Sequence, residues 1–324
     1  MAEPLQVGEI GEQQLLKRLQ AFCPAEVVGD DGAVLTVQPG RSLVVTSDVL
    51  VDGVHFSDRT TAPEDAGWRA AAANLSDLAA MGATPLGITV GLAIPGQTTV
   101  AWVERLYTGL VECLQTYSTV VVGGDICRSP VVSLAITAFG EVDPDRVIRR
   151  ATAQPGDAIV VTGSHGGSRA GLELLLHSEA EQDLSAVDRA ALIRAHQRPQ
   201  PRLDVLPLLP LHAPISGMDS SDGLADAIVQ ICRASGVGAK IDRAQVRIPS
   251  ALAQWLPKKA LEWALYGGED FELVLCLERS AAETLVQQLS GAAIVGYITA
   301  EPQVWLEDDP PTELKLEQGF QHFG

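Results

Sequence analysis

The segment NLSDLAAMGA at residues 74–83 governs the interpretation of the first half of the chain, because it closes a long alanine-rich stretch. The composition of that stretch predicts one helix over residues 63–81, with a proline in the first turn, where a missing backbone N–H costs little. Asp77 stands out in this helix, since its neighbours Leu75 and Leu78 indicate a buried face. A carboxylate at such a position is not a helix cap. Asp77 is therefore a candidate functional residue, and a purely structural role is the alternative.

Working outward from this helix, runs rich in β-branched residues predict strands on both sides of it. The predicted strands cover residues 33–37, 43–51, 86–94, 119–122, 131–140, 158–162, 239–241, 271–277 and 292–298. Further helices are predicted over residues 8–22, 98–117, 166–176, 184–196, 223–234 and 281–289. Strands and helices are mixed throughout, which indicates an α/β or α+β fold class.

A turn-rich crossing at residues 149–156 separates two halves of the chain. At roughly 150 residues per domain, a length of 324 residues also favours two domains. We therefore predict a strand-rich N-terminal domain over residues 1–148 and an α/β C-terminal domain over residues 149–324.

The charge balance excludes several classes of function. The chain has 41 acidic and 23 basic residues, a formal net charge of −18, which argues against nucleic-acid binding and against attachment to anionic lipid. A hydrophobic content of 46% is ample for a folded core. No apolar run is long enough to span a membrane, and the first residues do not resemble a signal peptide. Five scattered cysteines without a Cys-x-x-Cys pair predict reduced thiols in the core of a cytoplasmic protein.

Short acidic motifs recur in glycine turns and beside predicted strands. They include Gly29-Asp30-Asp31-Gly32, Thr46-Ser47-Asp48, Gly123-Gly124-Asp125, Asp219-Ser220-Ser221-Asp222-Gly223 and Gly267-Gly268-Glu269-Asp270. We expect Thr46-Ser47-Asp48 to close a strand and Gly123-Gly124-Asp125 to follow one. Each motif alone also fits a simple turn or a helix cap.

Taken together, these acids indicate a cation site. Two carboxylates about 4 Å apart repel by about 4 kcal/mol at an effective dielectric near 20, so a convergent cluster requires cations or protons. Hydroxyl and carboxylate oxygens are hard ligands, and Mg²⁺ combines one or two carboxylates with water and substrate phosphates. The pattern therefore suggests magnesium and a nucleotide triphosphate.

Two common kinds of nucleotide site are missing from the sequence. It contains neither a P-loop motif nor the motif set of protein kinases. The glycine-rich turn at residues 163–167 follows a strand and precedes a helix, as phosphate-binding loops do, but its spacing matches neither standard fingerprint. We interpret it as a tight strand-to-helix turn, with phosphate binding as the alternative.

In order along nearly the whole chain, these motifs resemble the thiamine-monophosphate kinase family, one group of the aminoimidazole-ribonucleotide synthetase-like ATP-binding proteins. The resemblance includes Asp52-Gly53-Val54-His55-Phe56, the segment 74–83 and the closing residues 319–323. It implies a two-domain fold whose N-terminal domain pairs with its twin to close a barrel across a homodimer. It also implies phosphorylation of thiamine monophosphate by ATP with several magnesium ions and no protein general base.

The resemblance further assigns roles to particular residues. The implied magnesium ligands are Asp31, Thr46, Ser47, Asp48, Asp77, Asp125, Asp219 and Asp222, with Asp30 as the alternative to Asp31. The implied ATP contacts are Gly124, Asp125, Arg150 and Ser221. The implied contacts of the thiamine part are His55, Glu269 and Phe320. The simpler alternative for His55 is a structural histidine in a loop, and for Phe320 it is a C-terminal anchor against the core.

Other ATP-dependent functions on the same scaffold have different sequence requirements. Selenophosphate synthesis would require a reactive cysteine in a glycine-rich N-terminal loop, and Cys23 lies between Phe22 and Pro24 instead. ATP-driven ring closure and a non-catalytic nucleotide-binding regulator are the remaining alternatives.

Overall fold

The computed structural model describes residues 4–24, 27–28, 31–177, 184–210 and 214–316. The chain divides into two compact units, one made of Met1–Leu78 and Ala83–Val142 and the other of Ala79–Gly82 and Asp143–Gly324. Both units combine sheets with helices, which confirms the predicted class.

In the first unit, a four-stranded sheet carries three helices among the described residues. The helices are α1 (Val7–Leu19), α2 (Pro63–Ala80) and α3 (Val100–Thr116), and the strands are β1 (Ser42–Val51), β2 (Thr84–Ile94), β3 (Val121–Arg128) and β4 (Ser133–Val142). The strand order is β1-β4-β2-β3, in which the β2–β3 pair is parallel and the other pairs are antiparallel. The two edge strands are therefore β1 and β3.

The two faces of this sheet differ sharply in burial. One face holds side chains such as Ile136 and Val90, which are fully buried, and Leu78 of α2 packs against this face at Gly140. The opposite face leaves Leu43, Val45 and Val49 of β1 about half exposed, at 50%, 54% and 51%. Since side chains alternate along a strand, this register places an apolar stripe on the side of the sheet away from α2.

In the second unit, seven of the described strands form a mixed sheet. Its strands are β5 (Ala158–Val161), β6 (Ser216–Asp219), β7 (Gly238–Asp242), β8 (Leu273–Leu277), β9 (Ala293–Thr299), β10 (Val304–Glu307) and β11 (Thr312–Glu313), in the order β11-β10-β7-β9-β5-β8-β6. The helices are α4 (Gly167–Leu176), α5 (Ala186–Gln197), α6 (Leu224–Ser235), α7 (Ser250–Trp255), α8 (Ala260–Tyr266) and α9 (Arg279–Gln288).

Alternating residues of β5 and β8 feed two hydrophobic cores. Ile159 and Cys276 belong to the core that includes α6, whereas Val160 and Leu275 belong to the core that includes α9. The central strands are therefore buried on both faces, which explains their continuous apolar sequence.

Most of the predicted helices and strands are confirmed, and three local predictions are wrong. Residues 33–37 form no strand, and Val34 is 94% exposed, so this segment pairs with no strand of the described residues. Thr46-Ser47-Asp48 lies inside β1 and Gly123-Gly124-Asp125 lies inside β3, not at strand ends. The alternation of β-branched residues continues past Asp48, and the pairing of β3 with β2 continues past Asp125.

All five cysteines are free thiols, and Cys113, Cys232 and Cys276 are buried as predicted. The core position is wrong for Cys127, which is exposed on edge strand β3, and for Cys23, which is only partly buried. Within the described ranges, none of the helices combines the length and the apolar character that a membrane crossing requires.

Candidate functional site

Two of the acidic motifs of the first unit, Thr46-Ser47-Asp48 and the segment 74–77, meet where α2 contacts β1. The hydroxyl of Thr46 donates a hydrogen bond to Oδ2 of Asp77. The backbone N–H of Asp48 donates to Oδ1 of Asn74 at 3.2 Å, and the Asn74 amide donates to the carbonyl of Ala70 at 3.0 Å. Thr46 and Asp48, two positions apart on the strand, thus face Asp77 and Asn74, three positions apart on the helix. These spacings match the side-chain periods of a strand and a helix.

Beyond the first turn of α2, Asp77 is the one residue that is not buried. Leu75, Ser76 and Leu78 are completely buried, as is Asn74, whereas Asp77 is only partly buried. Among residues 74–78, Asp77 is therefore the one that is accessible to solvent. Its carboxylate accepts the hydrogen bond from the Thr46 hydroxyl. Carboxylate, hydroxyl and amide oxygens form a hard donor set, so the residues present fit a magnesium ion.

Ser47 and Asp125 do not join this cluster within one copy of the chain. Ser47 points to the opposite face of the sheet, where its hydroxyl donates to the carbonyl of Ile136 at 2.9 Å. Asp125 pairs in register with Gly91 on β2, which also belongs to that opposite face, and it is exposed. It lies on the other edge strand, about 14 Å away by three inter-strand spacings. Gly124 approaches the backbone of β2 so closely that a Cβ would lie 2.2 Å from the Val90 carbonyl.

His55 is held in the loop that follows β1. Its Nδ1 accepts a hydrogen bond from the backbone N–H of Val51 at 3.1 Å, and its carbonyl accepts from the buried guanidinium of Arg69 at 3.3 Å. In the neutral ring the proton must then reside on Nε2. The histidine is thus fixed in orientation with its Nε2–H as a donor.

In the second unit, the Asp219–Gly223 motif forms the turn between β6 and α6. Asp219 ends the strand and is 3% exposed, and its Oδ1 accepts a hydrogen bond from the Ser221 hydroxyl at 3.0 Å. Both the backbone N–H and the hydroxyl of Ser220 donate to the carbonyl of Glu272, at 2.8 and 3.1 Å. Asp222 is exposed. The turn is therefore fixed to the neighbouring strand segment rather than held only by its own residues.

The Gly267–Asp270 motif lies directly against this turn. The backbone N–H of Glu269 donates to the Ser221 carbonyl at 2.6 Å. Only glycine fits at position 268, because a Cβ there would lie 2.4 Å from the same carbonyl. The structure therefore brings together four of the predicted site residues, Asp219, Ser221, Asp222 and Glu269.

Arg150 lies beside α6 rather than free in solvent. Its guanidinium donates to Oε1 of Gln230 at 2.7 Å, and its carbonyl accepts from the hydroxyls of Ser216 and Ser235.

Asp31 is exposed in the segment before β1. Asp30 and Phe320 lie outside the described residues.

A buried polar network beneath the β6–α6 turn was missed in the sequence. Nε2 of His165 lies 3.0 Å from the Ser220 hydroxyl, and Glu272 accepts hydrogen bonds from Thr162 and Arg202. Arg202 also pairs with Asp204. The sequence shows His165 inside the glycine-rich turn and the acids Asp270 and Glu272 after Glu269. Neither feature predicts this network, because the hydrogen-bond partners are distant in the sequence.

Burial shifts the proton affinities of this network. Loss of hydration lowers the pKa of His165 to about 4, so the ring is neutral at neutral pH. The pKa of Asp270 is raised to about 7, mainly by burial and further by Glu272 and Glu269. Burial also raises the pKa of Glu272, against the lowering effect of Arg202.

Among the residues that the structure describes, no three His, Cys, Asp or Glu side chains are grouped closely enough to hold a metal ion. Instead, carboxylates stand beside hydroxyl and amide groups in each unit. Any cation bound here would draw its remaining ligands from water or from a substrate.

Comparison with known proteins gives a consistent result for the whole chain. The family model "AIR synthase related protein, N-terminal domain" matches residues 29–142, and the model of the C-terminal domain matches residues 154–309. A thiamine-monophosphate kinase of Synechococcus elongatus is 53% identical over 325 residues, which cover 98% of this chain and 98% of that protein.

Two solved structures agree with this. Thiamine-monophosphate kinase from Stenotrophomonas maltophilia has a TM-score of 0.80 at 33% identity, covering 90% of this chain and 95% of the other. AaThiL complexed with AMPPCP and TMP has a TM-score of 0.76 at 31% identity, covering 97% of this chain and 100% of that one. The expected two-domain, synthetase-like fold is thereby confirmed. This chain belongs to the thiamine-monophosphate kinase family, within the AIR synthase related proteins.

Proposed function

We propose that this protein transfers the γ-phosphate of ATP to thiamine monophosphate, giving thiamine diphosphate and ADP. The observation that carries the proposal is the 53% identity to the Synechococcus elongatus kinase over nearly the full length of both chains. The AaThiL structure, which contains an ATP analogue together with TMP, supports both substrates. The cytoplasm is the proposed compartment.

The chemistry of the acceptor explains why the chain needs no general base. A phosphate monoester has a second pKa of about 6, so its attacking oxygen is already anionic at neutral pH. The chain must therefore align two anionic substrates and reduce their repulsion. We propose a single in-line transfer without a phosphoenzyme.

The acids of the two units are the proposed magnesium ligands. They are Asp31, Asp48, Asp77, Asp125, Asp219 and Asp222, with oxygens of Thr46 and Ser47. Magnesium, when bound, would neutralise charge that accumulates between the donor and acceptor phosphates. The chain's own contacts prepare these ligands: Thr46 orients the carboxylate of Asp77, and Ser221 orients that of Asp219.

The remaining sequence-based assignments form the proposed substrate contacts. Gly124, Asp125, Arg150 and Ser221 would contact ATP. His55, Glu269 and Phe320 would contact the thiamine part. The fixed Nε2–H donor of His55 and the partly exposed carboxylate of Glu269 suit a polar ring system that carries a cationic thiazolium.

We also propose a homodimer formed through the exposed face of the first sheet. This face carries Leu43, Val45 and Val49 on edge strand β1, in register with Ala135 and Phe139 on β4. A half-exposed apolar stripe on a sheet with open edges favours association. Ser47 and Asp125 lie on this same face, so pairing with a second copy would place the oxygens of both side chains at or beside the interface.

Product analysis tests the proposed reaction. Purified protein, magnesium and ATP are incubated with thiamine monophosphate or with thiamine, and the nucleotides and thiamine phosphates are separated. We expect thiamine diphosphate only with the monophosphate, and inversion at a chiral γ-phosphate. Retention of configuration would contradict a single transfer step, and ADP release that is independent of thiamine monophosphate would contradict the assigned acceptor.

A further inference from the structure

The glycine-rich turn before α4 is already occupied by a carboxylate of the chain itself. Oδ2 of Asp270 accepts a hydrogen bond from the backbone N–H of Gly166 at 2.6 Å, and Oδ1 accepts from that of Ser168 at 2.9 Å. Asp270 is separated from Gly166 by 104 residues, so it acts as a long-range cap of the helix. An anion is the group that a helix N-terminus prefers, which explains why this turn resembles a phosphate-binding loop without serving as one.

The backbone around Asp270 is held in an unfavourable conformation. Glu269 and Phe271, the two residues that flank it, have left-handed φ angles of 68° and 53°. Non-glycine residues adopt this region rarely, and they remain there only where the surroundings impose it. The two hydrogen bonds from the N-terminus of α4 hold Asp270, which lies between Glu269 and Phe271. They can therefore impose the left-handed conformation of both neighbours.

Two further contacts connect the first turn of α4 to Glu269, and a third joins Glu269 to the β6–α6 turn. The Ser168 hydroxyl lies 3.1 Å from Nδ1 of His196, and that nitrogen lies 3.8 Å from Oε2 of Glu269. The Glu269 N–H is bonded to the Ser221 carbonyl. The first turn of α4 therefore reaches Glu269 by two routes, through the backbone of Asp270 and through the buried ring of His196.

We propose that Asp270 is a positioning residue for the acceptor: bound to the N-terminus of α4, it fixes the segment 267–271 so that the Glu269 carboxylate is presented to the thiamine part of the substrate. This proposal rests on the proposed function, because it takes Glu269 as an acceptor contact. Asp270 itself touches no substrate in this scheme. Its effect passes through the backbone conformation of its two neighbours.

The test is a kinetic comparison of Asp270→Asn with the parent protein. Asparagine keeps one acceptor oxygen, but it loses the charge and turns an amide N–H towards a backbone N–H. Because a hydrogen bond to a charged group contributes enough to change an equilibrium constant by tenfold or more, we expect the KM for thiamine monophosphate to rise by about tenfold. The KM for ATP should change less than about twofold, because the turn that carries Ser221 is also held by the Ser221–Asp219 hydrogen bond and by the bonds of Ser220 to the Glu272 carbonyl.

Glu278→Gln is the matched control. Glu278 also caps a helix N-terminus, because it accepts a hydrogen bond from the backbone N–H of Ser280 at the start of α9. It belongs to none of the proposed site motifs. Both KM values should therefore stay at the parent value in this variant, and an equal rise in the control would show that loss of any helix cap produces the effect.

Hydrogen exchange separates this proposal from the proposed function. Amides of residues 166–168 and 267–271 should exchange faster in Asp270→Asn than in the parent, whether or not the protein makes thiamine diphosphate. Unchanged exchange would overturn the anchor, and faster exchange with an unchanged acceptor KM would overturn the positioning role. If Asp270→Asn does not fold, Asp270→Glu serves instead: its carboxylate is displaced by one methylene, and a parent-like acceptor KM in that folded variant would overturn the proposal.

Discussion

The exposed face of the first sheet gives the most quantitative prediction, because a single substitution there should abolish the proposed dimer. Val45 lies near the middle of β1, between Leu43 and Val49 on the same face, and its side chain is 54% exposed. We consider Val45→Asp, which places a carboxylate at the centre of the apolar stripe. The monomer should tolerate this change, since the position is open to solvent in the separate unit.

The magnitude follows from burial. Full burial of an aliphatic side chain contributes about 1.5–3 kcal/mol, so the exposed half of Val45 contributes about 1 kcal/mol in each copy. A carboxylate taken out of water without a partner costs several kcal/mol, and a two-fold interface contains two of them. The combined loss is at least about 5 kcal/mol, which weakens the dimer Kd by more than about 10³-fold.

Sedimentation velocity over a dilution series measures this effect. The parent protein should have twice the chain mass of 34.3 kDa, and Val45→Asp should have the mass of a single chain with unchanged circular dichroism. Val187→Asp is the matched control, because this valine is 78% exposed on α5. A Val45→Asp protein that sediments as the parent dimer does would refute the assignment of this face as the interface.

Three further predictions concern the site. Asp77→Asn should lower kcat by about 10²-fold or more while preserving the fold. Asp58→Asn, on the exposed surface, is the control and should leave kcat unchanged. Near-parental turnover of Asp77→Asn at saturating magnesium would show that Asp77 is not a magnesium ligand. Phe320→Ala should raise the acceptor KM more than the ATP KM, and equal changes would indicate a structural anchor. Because the pKa of Asp270 is raised to about 7 from 3.8, its folded form holds the proton more tightly, so its contribution to stability is greatest in acid and is lost as pH rises through about 7. Urea unfolding should therefore show the parent losing stability relative to Asp270→Asn between about pH 4 and about pH 7, and a pH-independent difference would contradict the raised pKa.

The helices and central strands could be predicted because local patterns determine them. Helix α2 follows from its alanine-rich sequence and early proline, and β5 and β8 follow from continuous apolar runs. In contrast, β6, β10 and β11 are short, and their pairing depends on neighbours far away in the sequence. The segment at residues 33–37 has the composition of a strand, but composition alone does not supply a strand to pair with.

The limits of the site prediction have the same physical origin. The motif containing Thr46 and Asp48 was recognisable, but the face of the sheet on which each side chain lies depends on register, which separates Ser47 from its neighbours. The role of Asp270 requires knowledge that residues 166 and 270 meet. No local period in the sequence encodes that contact.

Transfer of the γ-phosphate to thiamine monophosphate can be followed in a single-turnover experiment. Purified protein in excess is mixed with [γ-³²P]ATP, magnesium and thiamine monophosphate, and the label is followed by chromatography. The account predicts that the label appears in thiamine diphosphate in equal amount to the ADP formed. Label that appears as inorganic phosphate, or that remains in ATP, would contradict it.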